Sequence, residues 1–253
     1  MTATSKEKHP VTLPEGVSLQ RVGEVLLDAW EADPRRWMKA STLRSGSATE
    51  DGPPQLREDA QPRPAMPVPQ DAMDLFRLLH ERQVEYLLVG GMAMLTYVKG
   101  RNTKDVDLLM PVAALGKLPE LKLEDRNDFF ARGKFKSIQV DLLLTKNPLF
   151  KMVAEKFATR HLFKELTVPT ATVEGMILLK LFALPLLYQQ KDLDWAMVYE
   201  ADVKMLLALY QPKVEPWFRL LEPHVSRTDL EELEKIVSDA QQRIARIKDQ
   251  FHS

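Results

Sequence analysis

The chain has 253 residues, of which 45% are hydrophobic and 28% charged, with a formal net charge of −1. That length and apolar content suffice for one or two domains with a buried core, and the near-neutral charge excludes a protein that coats polyanions over its whole surface. Cysteine is absent, which excludes disulfides, thiol catalysis and cysteine-based zinc sites, and the five histidines are scattered with no metal-ligand spacing.

Residues 1–17 read as a flexible tail whose polar opening, Met1 to Pro10, is no secretory leader, so a cytoplasmic protein is expected. From Ser18 to Ala32 the apolar residues Leu19, Val22, Val25, Leu26 and Trp30 fall near one stripe, predicting a short amphipathic helix. That helix either docks on the protein's own core or serves as an arm for a partner. Ser45 to Gln70 is rich in Pro, Gly and polar residues and predicts a linker. The expected organisation is a tail and helix over 1–44, a Pro-rich linker over 45–70, a catalytic domain over 71–168 and a helical domain over 169–253.

Asp71 to Arg82, with Met73, Phe76, Leu78 and Leu79 apolar, predicts a helix leading into a strand from Val84 to Val89. The strand ends at Gly90-Gly91, and Met92 to Tyr97 follows with helical character. A glycine turn between strand and helix lets the backbone approach a phosphate, whose charge the amides and the helix N-terminus can hold. Alone, such a pair is more often an ordinary turn.

Asp105 and Asp107 flank Val106 ahead of Leu108 and Leu109, so the stretch reads as a strand with both carboxylates on one face. Paired carboxylates repel and are costly to bury. Asn127 to Phe135 and Ser137 to Leu144 predict two strands with a tight turn near Gly133, and the second carries Asp141 in a run too apolar for a surface strand. Three acids so placed suit hard divalent cations with oxygen preference. The plainer alternative makes them strand-end or capping residues, or partners of Arg101 and Lys104.

These residues resemble the nucleotidyltransferase superfamily with the polymerase-β-like fold. The family pattern of a glycine pair, a short helix, Asp-x-Asp and a distant Asp is matched by Gly90, Gly91, Asp105, Asp107 and Asp141. The pair is more often Gly-Ser, and the missing hydroxyl removes one phosphate contact. The run from Gly100 to Asp105 is similar to the Gly-x-Arg-x-Thr-x-Asp stretch of minimal nucleotidyltransferases and AbiEii-type toxins. The resemblance covers roughly Asp71 to Leu209 and implies an α+β fold: a short mixed β-sheet flanked by helices, then a helical C-terminal region. It implies Mg²⁺, or Mn²⁺, on Asp105, Asp107 and Asp141 as catalytic and metal-binding residues. Gly90, Gly91, Arg101, Thr103 and Lys180 are its implied nucleotide-binding residues, and an NTP its partner. The acceptor, whether RNA, protein or small molecule, is left open, as is a non-catalytic binding module with the same fold.

Arg126 to Lys164 carries nine Lys/Arg against three acids, a net of +6 around Asp141. It either steers a nucleotide or RNA toward the site or forms a solvated face. Of Phe129, Phe130 and Phe135 nearby, at least two are expected in the core. Asn147-Pro148 reads as a cap followed by a helix start, and Thr172 as the cap of a helix with Glu174 in its first turn. In AbiEii-like proteins a lysine on such a helix reaches the phosphates; Lys180 does so here or simply extends from a helix edge. The family's Arg on this helix is missing, and Pro185 interrupts the segment, while Lys191-Asp192 and Asp202 follow. Met176 to Tyr188 is too short to span a bilayer. Thr228 to Glu231 resembles a capping box, and Leu230, Leu233, Val237, Ala240, Ile244, Ile247 and Phe251 form a helical stripe. That stripe packs on the same chain or on a homodimer mate or antitoxin partner.

Overall fold

The computed structural model describes residues 69–98, 103 and 105–251. The expected tail, first helix and most of the linker lie outside the described residues, as do Arg101 and Lys104. The first described helix, α1 (Gln70–Glu81), buries Met73, Leu75, Phe76 and Leu79, and its basic and acidic residues stay at the surface. Next come β1 (Leu87–Val89), α2 (Gly90–Tyr97), β2 (Val106–Met110) and a 3₁₀ turn at Val112–Lys117. β3 (Lys122–Arg126), β4 (Phe130–Phe135) and β5 (Ile138–Leu144) form a meander, followed by α3 (Pro148–Lys156). β6 (Ala158–Phe163) and β7 (Leu166–Ala171) precede four helices: α4 (Val173–Gln189), α5 (Leu193–Tyr210), α6 (Glu215–Leu221) and α7 (Arg227–Phe251).

The seven strands make one mixed sheet in the order β3-β4-β5-β2-β1-β7-β6. β2 pairs with β5 and β1 with β7 in parallel; the other neighbours are antiparallel. β5 alternates buried Val140, Leu142 and Leu144 with partly exposed Gln139, Asp141 and Leu143. This period of two gives the sheet an apolar face and leaves Asp141 on the other. The fold class is therefore α+β, with a mixed sheet and a helical C-terminal region, as expected.

Several boundaries differ from the sequence reading. The turn between β4 and β5 falls at Lys136-Ser137, where Lys136 takes a φ of 51°. Gly133 instead lies inside β4, because a Cβ there would come within 2.6 Å of the Lys122 carbonyl oxygen on β3. The expected domain boundary at 168 cuts β7, and the sheet runs on to Ala171. One core joins sheet and C-terminal helices, from Met73 and Leu108 to Leu206, Trp217 and Val237. Pro185 does not end α4, which continues to Gln189; the helix gives up the N–H that would reach the Leu181 carbonyl. At α7 the cap is Ser226 rather than Thr228, its Oγ accepting from the Asp229 N–H at 3.1 Å and donating to the Asp229 carboxylate at 2.6 Å. The stripe on α7 packs on this same chain through Leu233, Val237 and Ala240, while Ile247 is exposed. Among the described residues no helix is long and apolar enough to cross a membrane.

Candidate active site

The register of two strands creates the site. Asp107 on β2 and Asp141 on β5 are direct partners in the parallel ladder, so their Cα atoms sit about 4.8 Å apart and their side chains leave the same face. On the far side of Asp141, the antiparallel hairpin sets Arg132 of β4 opposite it. On the far side of Asp107 lies Val89 of β1. The sheet thus carries a row, Arg132–Asp141–Asp107–Val89, that ends where the chain turns into α2.

That turn is built for close approach. Gly90 has a φ of 63°, a left-handed conformation that glycine adopts without steric cost, and a Cβ on it would overlap the Asp107 carboxyl. The Gly91 N–H, at the start of α2, donates to Asp107 Oδ2 at 3.2 Å. Expected to face a phosphate, the glycine turn here faces the Asp107 carboxylate. Thr103 packs across Gly91, where a Cβ would come within 2.8 Å of its Oγ1. The same Oγ1 lies 3.4 Å from the Asp105 backbone N–H, so Thr103 braces both the glycine turn and the entry to β2. Asp105 itself sits just before β2 and is partly buried.

The acids act on one another. Burial, then the charges of Asp141 and Asp105, push the Asp107 carboxyl up to about 7; the Gly91 N–H and the Lys180 charge oppose that rise. A carboxylate so disfavoured is one that a hard cation would relieve. The donor set, three carboxylates and no softer ligand, thus fits Mg²⁺ or Mn²⁺ in kind. Among the described residues, however, no three His, Asp or Glu side chains converge closely enough to hold an ion. Asp141 has both its oxygens taken by Arg132, Nε to Oδ1 at 2.6 Å and Nη2 to Oδ2 at 2.8 Å.

Lys180 is neither on a helix edge nor extended into solvent. It is 5% exposed, with Nζ 2.7 Å from Asp202 Oδ2 on α5 and 4.2 Å from the centre of the Tyr199 ring. From there its charge reaches Asp107. Asp107 and Asp141 are therefore brought together, Asp105 stands next to them, Gly90, Gly91 and Thr103 pack around them, and the Lys180 charge is felt at Asp107. Arg101 lies outside the described residues.

Sequence reasoning missed Arg132. The signal was available: a two-residue turn at 136–137 fixes a register in which 132 faces 141, and only the misplaced turn near Gly133 hid it. Five of the nine basic residues in the +6 segment are ion-paired, two of them with acids from outside it. Besides Arg132, Lys134 bonds Glu124 at 2.8 Å, Lys146 bonds Asp128 at 2.8 Å, Lys151 lies 3.9 Å from Glu155, and Lys136 pairs with Asp74.

No protein-family model matches the chain, and no curated protein matches it. Solved structures do. An antigenic nucleotidyltransferase-like protein from Paracoccidioides brasiliensis is similar at 17% identity and a TM-score of 0.47, over 69% of this chain and 91% of that one. The antibiotic-resistance factor ANT(2'')-Ia, solved in solution, is similar at 14% identity and a TM-score of 0.43, over 72% of this chain and 96% of that one. Its crystal structure with adenylyl-2''-tobramycin gives 13% identity, a TM-score of 0.43 and 69% and 98% coverage. None of these is named as an AbiEii-type protein.

Proposed function

We propose that the chain is a nucleotidyltransferase that moves an NMP from an NTP to a hydroxyl acceptor. The observation that carries this reading is the pairing of Asp107 with Asp141 across β2 and β5, with Asp105 beside them and the glycine turn closing the row. Asp141 and Asp105 both raise the cost of charging Asp107, an arrangement that a purely structural set of surface acids has no need of.

In this reading Asp105 and Asp107 would hold two Mg²⁺ or Mn²⁺ ions, and Asp141 would complete the position nearer the acceptor. Such ions neutralise the triphosphate, acidify the acceptor hydroxyl and stabilise the departing pyrophosphate. The chain's own part is to align the reaction. The acceptor oxygen bonds the α-phosphorus as the bond to pyrophosphate breaks, and the acids fix both partners in line. The Gly91 N–H is given to Asp107, so Gly90 and Gly91 serve to hold that carboxylate in place, and the positive end of α2 favours the phosphate charge only from beside it. Lys180 acts from its buried place as fixed positive charge, and Arg101 is a further candidate for charge that develops in transfer.

Asp141→Asn is expected to abolish incorporation of labelled nucleotide while keeping the native circular dichroism at the assay temperature, with a lower melting temperature because Arg132 loses its charged partner. Four labelled NTPs, each with Mg²⁺ or Mn²⁺, offered to RNA, protein and small-molecule hydroxyl acceptors, provide the assay. Label in one pool names the acceptor class, including the tRNA or protein target of a toxin. Full incorporation by Asp141→Asn removes the assignment.

One observation favours a second reading. The Arg132 grip on Asp141 and the Asp202 grip on Lys180 suit a binding module that does not turn over. Calorimetric binding of Mg²⁺–NTP with no label transferred to any pool selects it.

A further inference from the structure

Arg132 holds Asp141 with the fork of its guanidinium, which matches the two carboxylate oxygens in plane and spacing and makes the stronger class of charged hydrogen bond. The side chains are 7% and 17% exposed, so water competes weakly for either. The contact is set by the backbone. The Lys136-Ser137 turn is itself tied to α1, with the Ser137 N–H donating to Asp71 at 3.1 Å, and this turn fixes Arg132 opposite Asp141. Two residues along β4, Lys134 pairs away from the site, with Glu124. Arg132 is thus a cation delivered by strand register to one end of the acid row.

The oxygens that the fork occupies are those a metal ion would use. A carboxylate cannot offer the same lone pairs to a guanidinium and to a divalent ion at full strength. We infer that Arg132 is a latch on Asp141: it competes with a divalent cation for the carboxylate and so lowers the affinity of the site for metal alone. An ion arriving with a triphosphate brings extra contacts through Asp105, Asp107 and the glycine turn, and these offset the opening of the fork. The latch makes the site selective for the metal–nucleotide complex over the bare metal. It deepens the nucleotidyltransferase reading and rests on it, since it takes Asp141 as a metal ligand.

The test is titration of the full chain with Mn²⁺ alone, reading free Mn²⁺ by electron paramagnetic resonance, without nucleotide. Arg132→Gln is expected to tighten Mn²⁺ binding by about tenfold, the size of a partly buried pair interaction. Arg132→Lys keeps the charge and loses the fork, and a smaller gain of at least about threefold is expected from it. Should Arg132→Gln fail to melt cooperatively, Arg132→Lys carries the comparison. Lys134→Gln removes the same charge two residues away and is expected to leave the affinity unchanged. Adding Asp141→Asn to either Arg132 variant is expected to cancel the gain. Folded Arg132 variants that bind Mn²⁺ no more tightly than the parent overturn the latch, and so does an equal gain from Lys134→Gln. Asp107→Asn separates the two ideas. If it weakens Mn²⁺ binding while the Arg132 variants show no gain, only the latch fails. If it binds like the parent, the metal reading of the site fails and the latch with it.

Discussion

Asp107 carries a strongly perturbed carboxyl in the acid row, and that perturbation bears on stability as well as on the proposed site. Its carboxyl titrates near 7 in the folded chain against 3.8 in an ordinary one, chiefly because of burial and then of Asp141 and Asp105. Between about pH 4 and pH 7 the folded protein therefore holds a proton that the unfolded chain has already released. Stability of the metal-free protein is expected to fall as pH rises through that window, and to level off above it as far as this group is concerned. In metal-free buffer at pH 8, Asp107→Asn should melt at least about 3 °C higher than the parent, because the buried charge is gone. Mn²⁺ affinity should rise with pH up to about 7 and then flatten, since ion and proton compete for the same oxygens. Calorimetry from pH 5.5 to pH 8 checks both trends, and a pH-independent affinity contradicts them. The glycine turn and the strand carrying Asp107 were legible in the sequence, because their pattern is local, whereas the pairing of Asp107 with Asp141 depends on the parallel ladder. Arg132 was not legible, since its role follows from a hairpin register and one misplaced turn moves every cross-strand neighbour. Lys180 was half legible: the helix and the residue were visible, whereas its burial against Asp202 and Tyr199 depends on how α4 meets α5.

Elements announced by their own caps were the easiest to see. Asn147 accepts from the Leu149 N–H at 2.9 Å and the Phe150 N–H at 3.4 Å, with Pro148 at the first helical position. It is 2% exposed, so water cannot replace it. Asn147→Ala should cost about 1–2 kcal/mol in urea denaturation without changing the Mn²⁺ titration. Thr172, capping the Gly175 N–H at 3.3 Å, was legible for the same reason. β3 and β6 were missed because they are the edges of the sheet. The strand Lys122–Arg126 has no buried position, and its one apolar residue, Leu123, is exposed, so the sequence offers no alternation to read a strand from. β7 was overlooked because Pro169 stands within it, and Pro169 faces Arg160 of β6. The interruption expected at Pro185 gave way to packing: Leu184 and Leu187 on either side are fully buried, and that burial outweighs one lost helical bond.

The molecule as described has a single core that runs from the sheet into the C-terminal helices. A fragment covering residues 71–168, the expected catalytic domain, is therefore predicted to lack a cooperative melt by circular dichroism. It would lose the end of β7, the whole of α4 and the surface that buries β1. A sharp transition in that fragment would show that the sheet stands by itself. The charge of the 126–164 segment also changes meaning at this scale. Glu124 and Asp74, from outside the segment, pair with its Lys134 and Lys136, so the charge it presents to a polyanion is weaker than a net of +6 suggests. The placement of β1 between β2 and β7 bears on how the protein is made. Leu88 finds its parallel partner, Thr170, only after all three acids have left the ribosome. Until then the nascent chain carries β1 with one open edge, and the glycine turn that positions Asp107 hangs from an unfinished sheet. Loop closure over that distance is slow compared with helix formation. Synthesis thus delivers the acids early, but the platform that aligns them closes only when β7 arrives.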